Sequence, residues 1–125
     1  MKSDAFKQAA ESKDFSKLEQ LFSPQVVFRS PAVFKPYSGL EALGVLLGAV
    51  AETFEDFLYL DQVETADTAV LVFEARVSDR QLNGVDILRF DGEGLIAEMM
   101  VMIRPLSGLN ALAEAMGRRL GVGAG

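Results

Sequence analysis

The sequence predicts an α+β domain in which helices cover the concave face of a curved antiparallel sheet. Three observations carry that expectation. Apolar residues recur at helical spacing up to about Phe54 and again after Ser107. Between Asp56 and Pro105 they alternate with polar residues at strand spacing, in four runs separated by short turns. The helices and strands are also segregated along the chain, where a parallel fold would alternate them.

At the start, Phe6, Ala9, Ala10 and Lys13 follow i, i+3, i+4, i+7 spacing, with Ser3 or Asp4 placed to cap the helix. Asp14 is placed to cap a second short helix with Leu18, Leu21 and Phe22 on one side, which Pro24 ends. The segment 25-QVVFRSP-31 has the β-branched and aromatic residues of a short strand stopped by Pro31. In 31-PAVFKPYSG-39, two prolines and a glycine predict a loop, made unusually apolar by Val33, Phe34 and Tyr37. Ser38 and Glu41 have capping-box spacing, so a third helix is expected to begin at Ser38. Leu40, Leu43, Leu47, Val50 and Phe54 form its stripe. Val45, Leu46 and Ala49 lie on other faces, so it should be covered on more than one side.

Strands are expected near 56–65, 68–78, 81–91 and 94–105. The joining turns are Ala66-Asp67, Ser78-Asp79-Arg80 and Asp91-Gly92-Glu93-Gly94, the last with strong D-G hairpin chemistry. In the second strand Leu71, Phe73, Ala75 and Val77 point one way, and Val72, Glu74 and Arg76 the other. A final helix follows Ser107, with Leu109, Leu112, Met116 and Leu120 on its stripe. No repeat or linker interrupts the pattern, so residues 1–120 read as one domain and 121-GVGAG-125 as a loose tail.

Composition narrows the chemistry. Half of the 125 residues are apolar and the net charge is −6, with Lys and Arg scattered, which argues against nucleic acid as a partner. Without Cys there is no disulfide or thiolate; without His there is no triad base and no common zinc ligand. Proton chemistry falls to Asp, Glu, Tyr or Lys, and neither a metal nor an organic cofactor is expected. Charges interrupt the first 25 residues, and the longest apolar stretch, 42-ALGVLLGAVA-51, is too short to span a bilayer. A cytoplasmic protein without a membrane partner is expected.

One residue stands out. In 83-NGVDILRF-90, Asp86 sits between Val85 and Ile87 and shares its face with Gly84, Leu88 and Phe90, expected to be the concave side. A carboxylate there costs free energy unless it is hydrogen-bonded, paired or protonated. Two readings stay open: a structural carboxylate held by backbone, Ser or Tyr donors, or an acid of raised pKa that exchanges a proton with a ligand carbonyl. The residues expected to line a surrounding ligand pocket are Phe6, Phe28, Ser30, Tyr37, Phe57, Tyr59, Phe73, Leu88, Met99 and Val101. Ser30 should point inward with Phe28, where it could donate to a ligand or to Asp86, and Arg29 outward. For Tyr37 and Tyr59, packing in the core or an interface is the plainer expectation. In 99-MMVMI-103, Met99 and Val101 take one face while Met100 and Met102 take the other. Apolar residues on both faces predict a homodimer through the outer sheet face.

The element order and the stretches 15-FSKLEQLFSPQVVFRSP-31, 37-YSGLEAL-43 and 84-GVDILRFDGEGLIAEM-99 resemble the nuclear transport factor 2-like superfamily over roughly residues 4–118. That group includes ketosteroid isomerases, SnoaL-like polyketide cyclases and limonene epoxide hydrolase. The resemblance implies a cystatin-like or ketosteroid isomerase-like architecture, with a cone-shaped cavity between sheet and helices. In the isomerases a first-helix Tyr donates to the oxyanion; the matching position is Phe6. Their Asp-Pro base matches Ser30-Pro31, and an alcohol cannot replace a carboxylate base at neutral pH. Their protonated strand Asp falls on Asp86, so one polar group of three is kept. SnoaL-like cyclases use a single strand Asp as acid or base, which Asp86 fits. The carboxylate–Arg–carboxylate arrangement of the epoxide hydrolase has only Glu74-x-Arg76 as its echo, expected to be an outward ion pair. The expected function is binding of a small, largely apolar, carbonyl-bearing molecule, with isomerase- or cyclase-type chemistry by Asp86. The alternatives are a non-catalytic binding or assembly module with a filled cavity, and epoxide hydrolysis.

Overall fold

The computed structural model describes residues 1–121, so all but the first residue of the expected 121–125 tail lies outside the described residues. The elements are α1 (Asp4–Ser12), α2 (Leu18–Leu21), β1 (Phe22–Arg29), β2 (Tyr37–Ser38), α3 (Leu40–Thr53), β3 (Glu55–Glu64), β4 (Thr68–Val77), β5 (Arg80–Phe90), β6 (Ile96–Arg104) and α4 (Leu106–Leu120). They form an α+β architecture with one curved, unclosed six-stranded sheet in the order β2-β1-β6-β5-β4-β3. All neighbouring strands run antiparallel except β1 and β6, which are parallel. The wholly antiparallel sheet expected from the sequence therefore has one exception. The chain leaves β1 through α3, and after the meander its last strand returns beside the first in the same direction.

Alternation places the core. In β4, Ala69, Leu71, Phe73, Ala75 and Val77 are buried; in β5, Leu82, Gly84, Asp86, Leu88 and Phe90 are. Phe6 of α1, Leu43 and Leu47 of α3 and Leu112 of α4 join the same apolar cluster. Burying each Leu or Phe side chain favours the fold by about 2 kcal/mol before entropy is counted. Register shifts in β3, between Glu55 and Leu58 and between Tyr59 and Asp61, bend that strand around the helices.

The helix ends depart from the local signals. Ser38 does not open α3: it pairs with Val27 in β2, and Gly39 becomes the N-cap at φ 93, a conformation glycine takes without strain. The capping box of Ser38 and Glu41 does not form because sheet pairing holds Ser38. Ser3 is the N-cap of α1, yet its side chain makes no local cap. It is buried, and its N–H and Oγ donate to the Glu64 carboxylate at 2.9 and 2.7 Å, as does the Lys2 N–H at 2.9 Å. A strand residue thus caps the helix from a distance in sequence. Asp14 accepts from the Ser16 N–H at 3.1 Å and does not cap α2, whose N-cap is Lys17. Pro24 lies inside β1, since the strand already starts at Phe22. The last helix begins at Leu106, just ahead of Ser107. The Asp91 turn forms as its chemistry suggests: Oδ1 accepts from the Glu93 and Leu95 N–H groups at 2.9 and 3.0 Å, with Gly94 at φ 82.

Candidate functional site

A cavity of about 410 Å³ lies between the concave face of the sheet and the helices. Phe6, Phe28, Ser30, Tyr37, Phe57, Tyr59, Phe73, Met99 and Val101 line it, together with Asp86. Leu88 does not. It is wholly buried between Ala69 of β4 and Met99 of β6, toward the end of the sheet where Phe22, Phe90 and Ile96 are packed and no space remains.

Asp86 is 5% exposed and Tyr59 7%. The Tyr59 hydroxyl donates to Asp86 Oδ2 at 2.6 Å. Among the described residues Asp86 Oδ1 has no protein partner and no buried side-chain polar atom is left unpartnered, so Oδ1 opens onto the cavity. Burial pushes the Asp86 carboxyl up to about 7, with the Tyr59 hydrogen bond holding it below what burial alone would give. Burial also drives the Tyr59 phenol far above its usual value, reinforced by the charge and hydrogen bond of Asp86 and by the charge of Glu11. Tyr59 therefore remains a donor while Asp86 changes state near neutral pH.

An aromatic group fixes this pair. The Tyr59 ring meets Phe57 edge-on at 4.8 Å and Phe73 at 6.1 Å, and Phe57 stacks on Phe54 at 5.8 Å. Such contacts contribute roughly 0.5–1.5 kcal/mol each beyond burial and restrict where the phenol can point. Gly84 of β5 faces Phe73, and an added β-carbon would overlap that ring. The bare backbone makes room for the wall.

The other expected polar contacts are arranged differently. Ser30 lines the cavity, but its Oγ accepts from the Ala32 N–H at 3.0 Å and makes no bond to Asp86. Phe6 presents only a ring, packed on Phe15 and Phe22 at 6.2 and 6.1 Å. Tyr37 lies at the mouth, partly exposed, with its ring 6.4 Å from that of Phe28. Glu74 and Arg76 are on the outer face, but they are not an ion pair. Arg76 binds Glu55 at 3.2 Å and Asp56 at 3.1 Å on β3, because cross-strand neighbours lie closer than residues two apart on one strand. Arg29 also points outward, to Glu98 at 3.2 Å.

Sequence reasoning missed three contributions. Leu109, Leu112, Met116 and Leu120 of α4 face the cavity, a stripe that reads equally well as core. Tyr59 is the partner of Asp86, and the available signal was that both belong to inner faces. Lys13 and Asn110 add polar atoms at the mouth. Among the described residues no three acidic side chains converge as a metal site, and no helix is long and apolar enough to cross a membrane.

The open curved sheet, its helical cover and the carboxyl-bearing cavity define the class of protein: an α+β domain of cystatin-like, nuclear transport factor 2-like fold. The family model described as the SnoaL-like domain matches residues 4–99, and the chain belongs to that family. It is similar to a solved structure described as a steroid delta-isomerase from Pseudomonas aeruginosa, at 43% identity and a TM-score of 0.91, over 96% of this chain and 89% of that one. It is similar also to an uncharacterised protein with a cystatin-like fold from Silicibacter pomeroyi, at 27% identity and a TM-score of 0.88, over 94% and 83%. An NTF2-like protein from Mesorhizobium loti shares the fold at 19% identity and a TM-score of 0.74, over 83% and 88%. No curated protein matches the sequence.

Proposed function

We propose that the protein binds a small, largely apolar molecule bearing a carbonyl group and exchanges a proton with its oxygen through Asp86. One observation carries this reading: a carboxyl group buried in an apolar cavity has one oxygen fixed by Tyr59 and the other open. Below about pH 7 the carboxyl is protonated and can donate to a carbonyl oxygen, which makes the adjacent C–H more acidic. The likeness to the protein described as a steroid delta-isomerase supports a carbonyl ligand and isomerase- or cyclase-type chemistry. Asp86 is the one acidic side chain among the lining residues: Phe6 contributes no polar group, and Ser30 contributes an alcohol that cannot serve as a base at neutral pH. Binding therefore comes first in this reading, and turnover is confined to substrates whose C–H is already acidic. The same lack of a second carboxylate weighs against epoxide hydrolysis, and the open volume weighs against a cavity filled by side chains.

Thermal-shift screening with steroid, terpenoid and polyketide-like aromatic ketones tests the reading, repeated with Asp86→Asn. A ketone should stabilise the wild type and be turned over, if at all, only with Asp86 present. Failure of every ketone class to bind would sink it.

We propose also that a second copy covers the outer sheet face. Val63, Val70, Ile87 and Met100 form one cross-strand row there, and Val72, Val85 and Met102 lie in the next. Leu58, Leu60 and Met102 are about half exposed, and the patch continues across four strands. A two-fold axis across the strands between these rows would bring the row of Glu74 and Arg104 over the row of Arg89 and Glu98 in the second copy, placing unlike charges together.

A further inference from the structure

We infer that Lys13 holds a carboxylate of the ligand at the cavity mouth, so that the ligand class is an elongated apolar acid with a carbonyl at its far end. This rests on the cavity reading above and adds a second anchor to it. Lys13 is exposed, lines the cavity, and is the one cation among the lining residues. Its ammonium donates to the Phe54 carbonyl at 2.7 Å, and no carboxylate lies within salt-bridge distance among the described residues. A neutral carbonyl takes one of three donors and none of the charge.

The backbone supplies an independent argument. Lys13 is the C-cap of α1 at φ 57, ψ 33, the left-handed conformation in which glycine is favoured and a β-carbon is not. A lysine there is unexplained by the cap, which needs only its backbone N–H to reach Ala10. Its side chain reaches across to the Phe54 carbonyl at the cavity edge, a bond that uses one of the three ammonium donors.

The wall between the two anchors is aromatic. From the Phe54 carbonyl held by Lys13, the rings of Phe54, Phe57 and Tyr59 follow one another at 5.8 and 4.8 Å, and the Tyr59 hydroxyl ends on Asp86. An aromatic or fused-ring acid lying along this strip would present its carboxylate to Lys13 and its carbonyl to Asp86.

The test uses two probes: acetylnaphthalene, and a naphthoic acid carrying an acetyl group on the other ring. Their dissociation constants are measured calorimetrically at about pH 6, where an aryl carboxylate is ionised. The wild type should bind the acid about fivefold more tightly, and about 0.5 M salt should shrink that preference. Lys13→Met and Lys13→Gly should abolish the preference by weakening the acid more than acetylnaphthalene, while Lys13→Arg keeps it. Glycine suits the left-handed cap, so Lys13→Gly carries the test if Lys13→Met folds poorly. Equal weakening of both probes would show a purely structural tie to Phe54 and overturn the inference. Acetylnaphthalene binding with no preference for the acid would overturn it too, leaving the cavity reading intact. If neither probe binds the wild type while other ketones do, the elongated-acid class is wrong; if no ketone binds, both readings fall.

Discussion

Tyr59 and Asp86 are 27 positions apart and meet through one 2.6 Å hydrogen bond. Its consequences follow from charge. Asp86 is lifted from 3.8 to about 7, so its neutral form favours the fold. That contribution is full below about pH 4, declines as the pH rises toward 7, and is gone above it. Wild-type urea midpoints should therefore fall between pH 5 and pH 8 by an amount that Asp86→Asn lacks. At pH 8 the Asn variant should be the more stable, by on the order of 4 kcal/mol at most. A variant less stable than wild type at pH 8 would refute this account. Tyr59→Phe removes the group that holds the carboxyl down, so carbon-detected NMR should find Asp86 titrating above about 7. It should cost about 1–3 kcal/mol at pH 8, where the carboxylate loses the Tyr59 donor, and less at pH 5. The inward face of Asp86 was legible from Gly84, Leu88 and Phe90 around it. Its partner was not, because strand spacing reports a face and says nothing about which residue of a bent neighbouring strand reaches across.

At the scale of elements, α4 is the helical cover that local reasoning undervalued. Its stripe looks like any core stripe, and only its crossing over the sheet makes it a cavity wall. The crossing depends on Gly108, where an added β-carbon would lie 2.8 Å from Leu82 Cβ and 3.1 Å from the Gln81 carbonyl. Gly108→Val should lift α4, costing about 1–3 kcal/mol in a denaturant titration and weakening ketone binding. Arg119, which binds Glu52 at 3.0 Å near the other end of α4, is exposed, and Arg119→Ala should change stability by less than about 1 kcal/mol. The strands were read within a few residues because alternation survives in β4 and β5. The first helix starts after Ser3 as its sequence suggests, although Glu64 holds the Ser3 side chain, whereas the start expected at Ser38 is displaced because β2 pairing captures that residue. Burial raises the Glu64 carboxyl, but the bonds from Ser3 and Lys2 and the charge of the N-terminus together hold it below its usual range. Glu64→Ala should accordingly speed amide exchange in the first turn of α1.

For the whole molecule, the outer sheet face gives the sharpest prediction. Met102→Asp places a charge at the β6 end of its apolar row, on a side chain already half exposed. Sedimentation should show a dimer for the wild type and a monomer with unchanged circular dichroism for the variant. A wild type that stays monomeric over a broad concentration range would defeat the proposal.

The parallel seam between β1 and β6 has a consequence of its own. Phe28 lies beside Met99, so β1 leaves the ribosome well before its sheet neighbour β6. The β3–β4–β5 hairpins can form as they emerge, but the seam requires a loop of most of the chain to close first. Until then the inner residues Val26 and Phe28 have no sheet to lie in. The nascent chain must keep its first strand waiting, and the cavity comes into being only as the final helix is made.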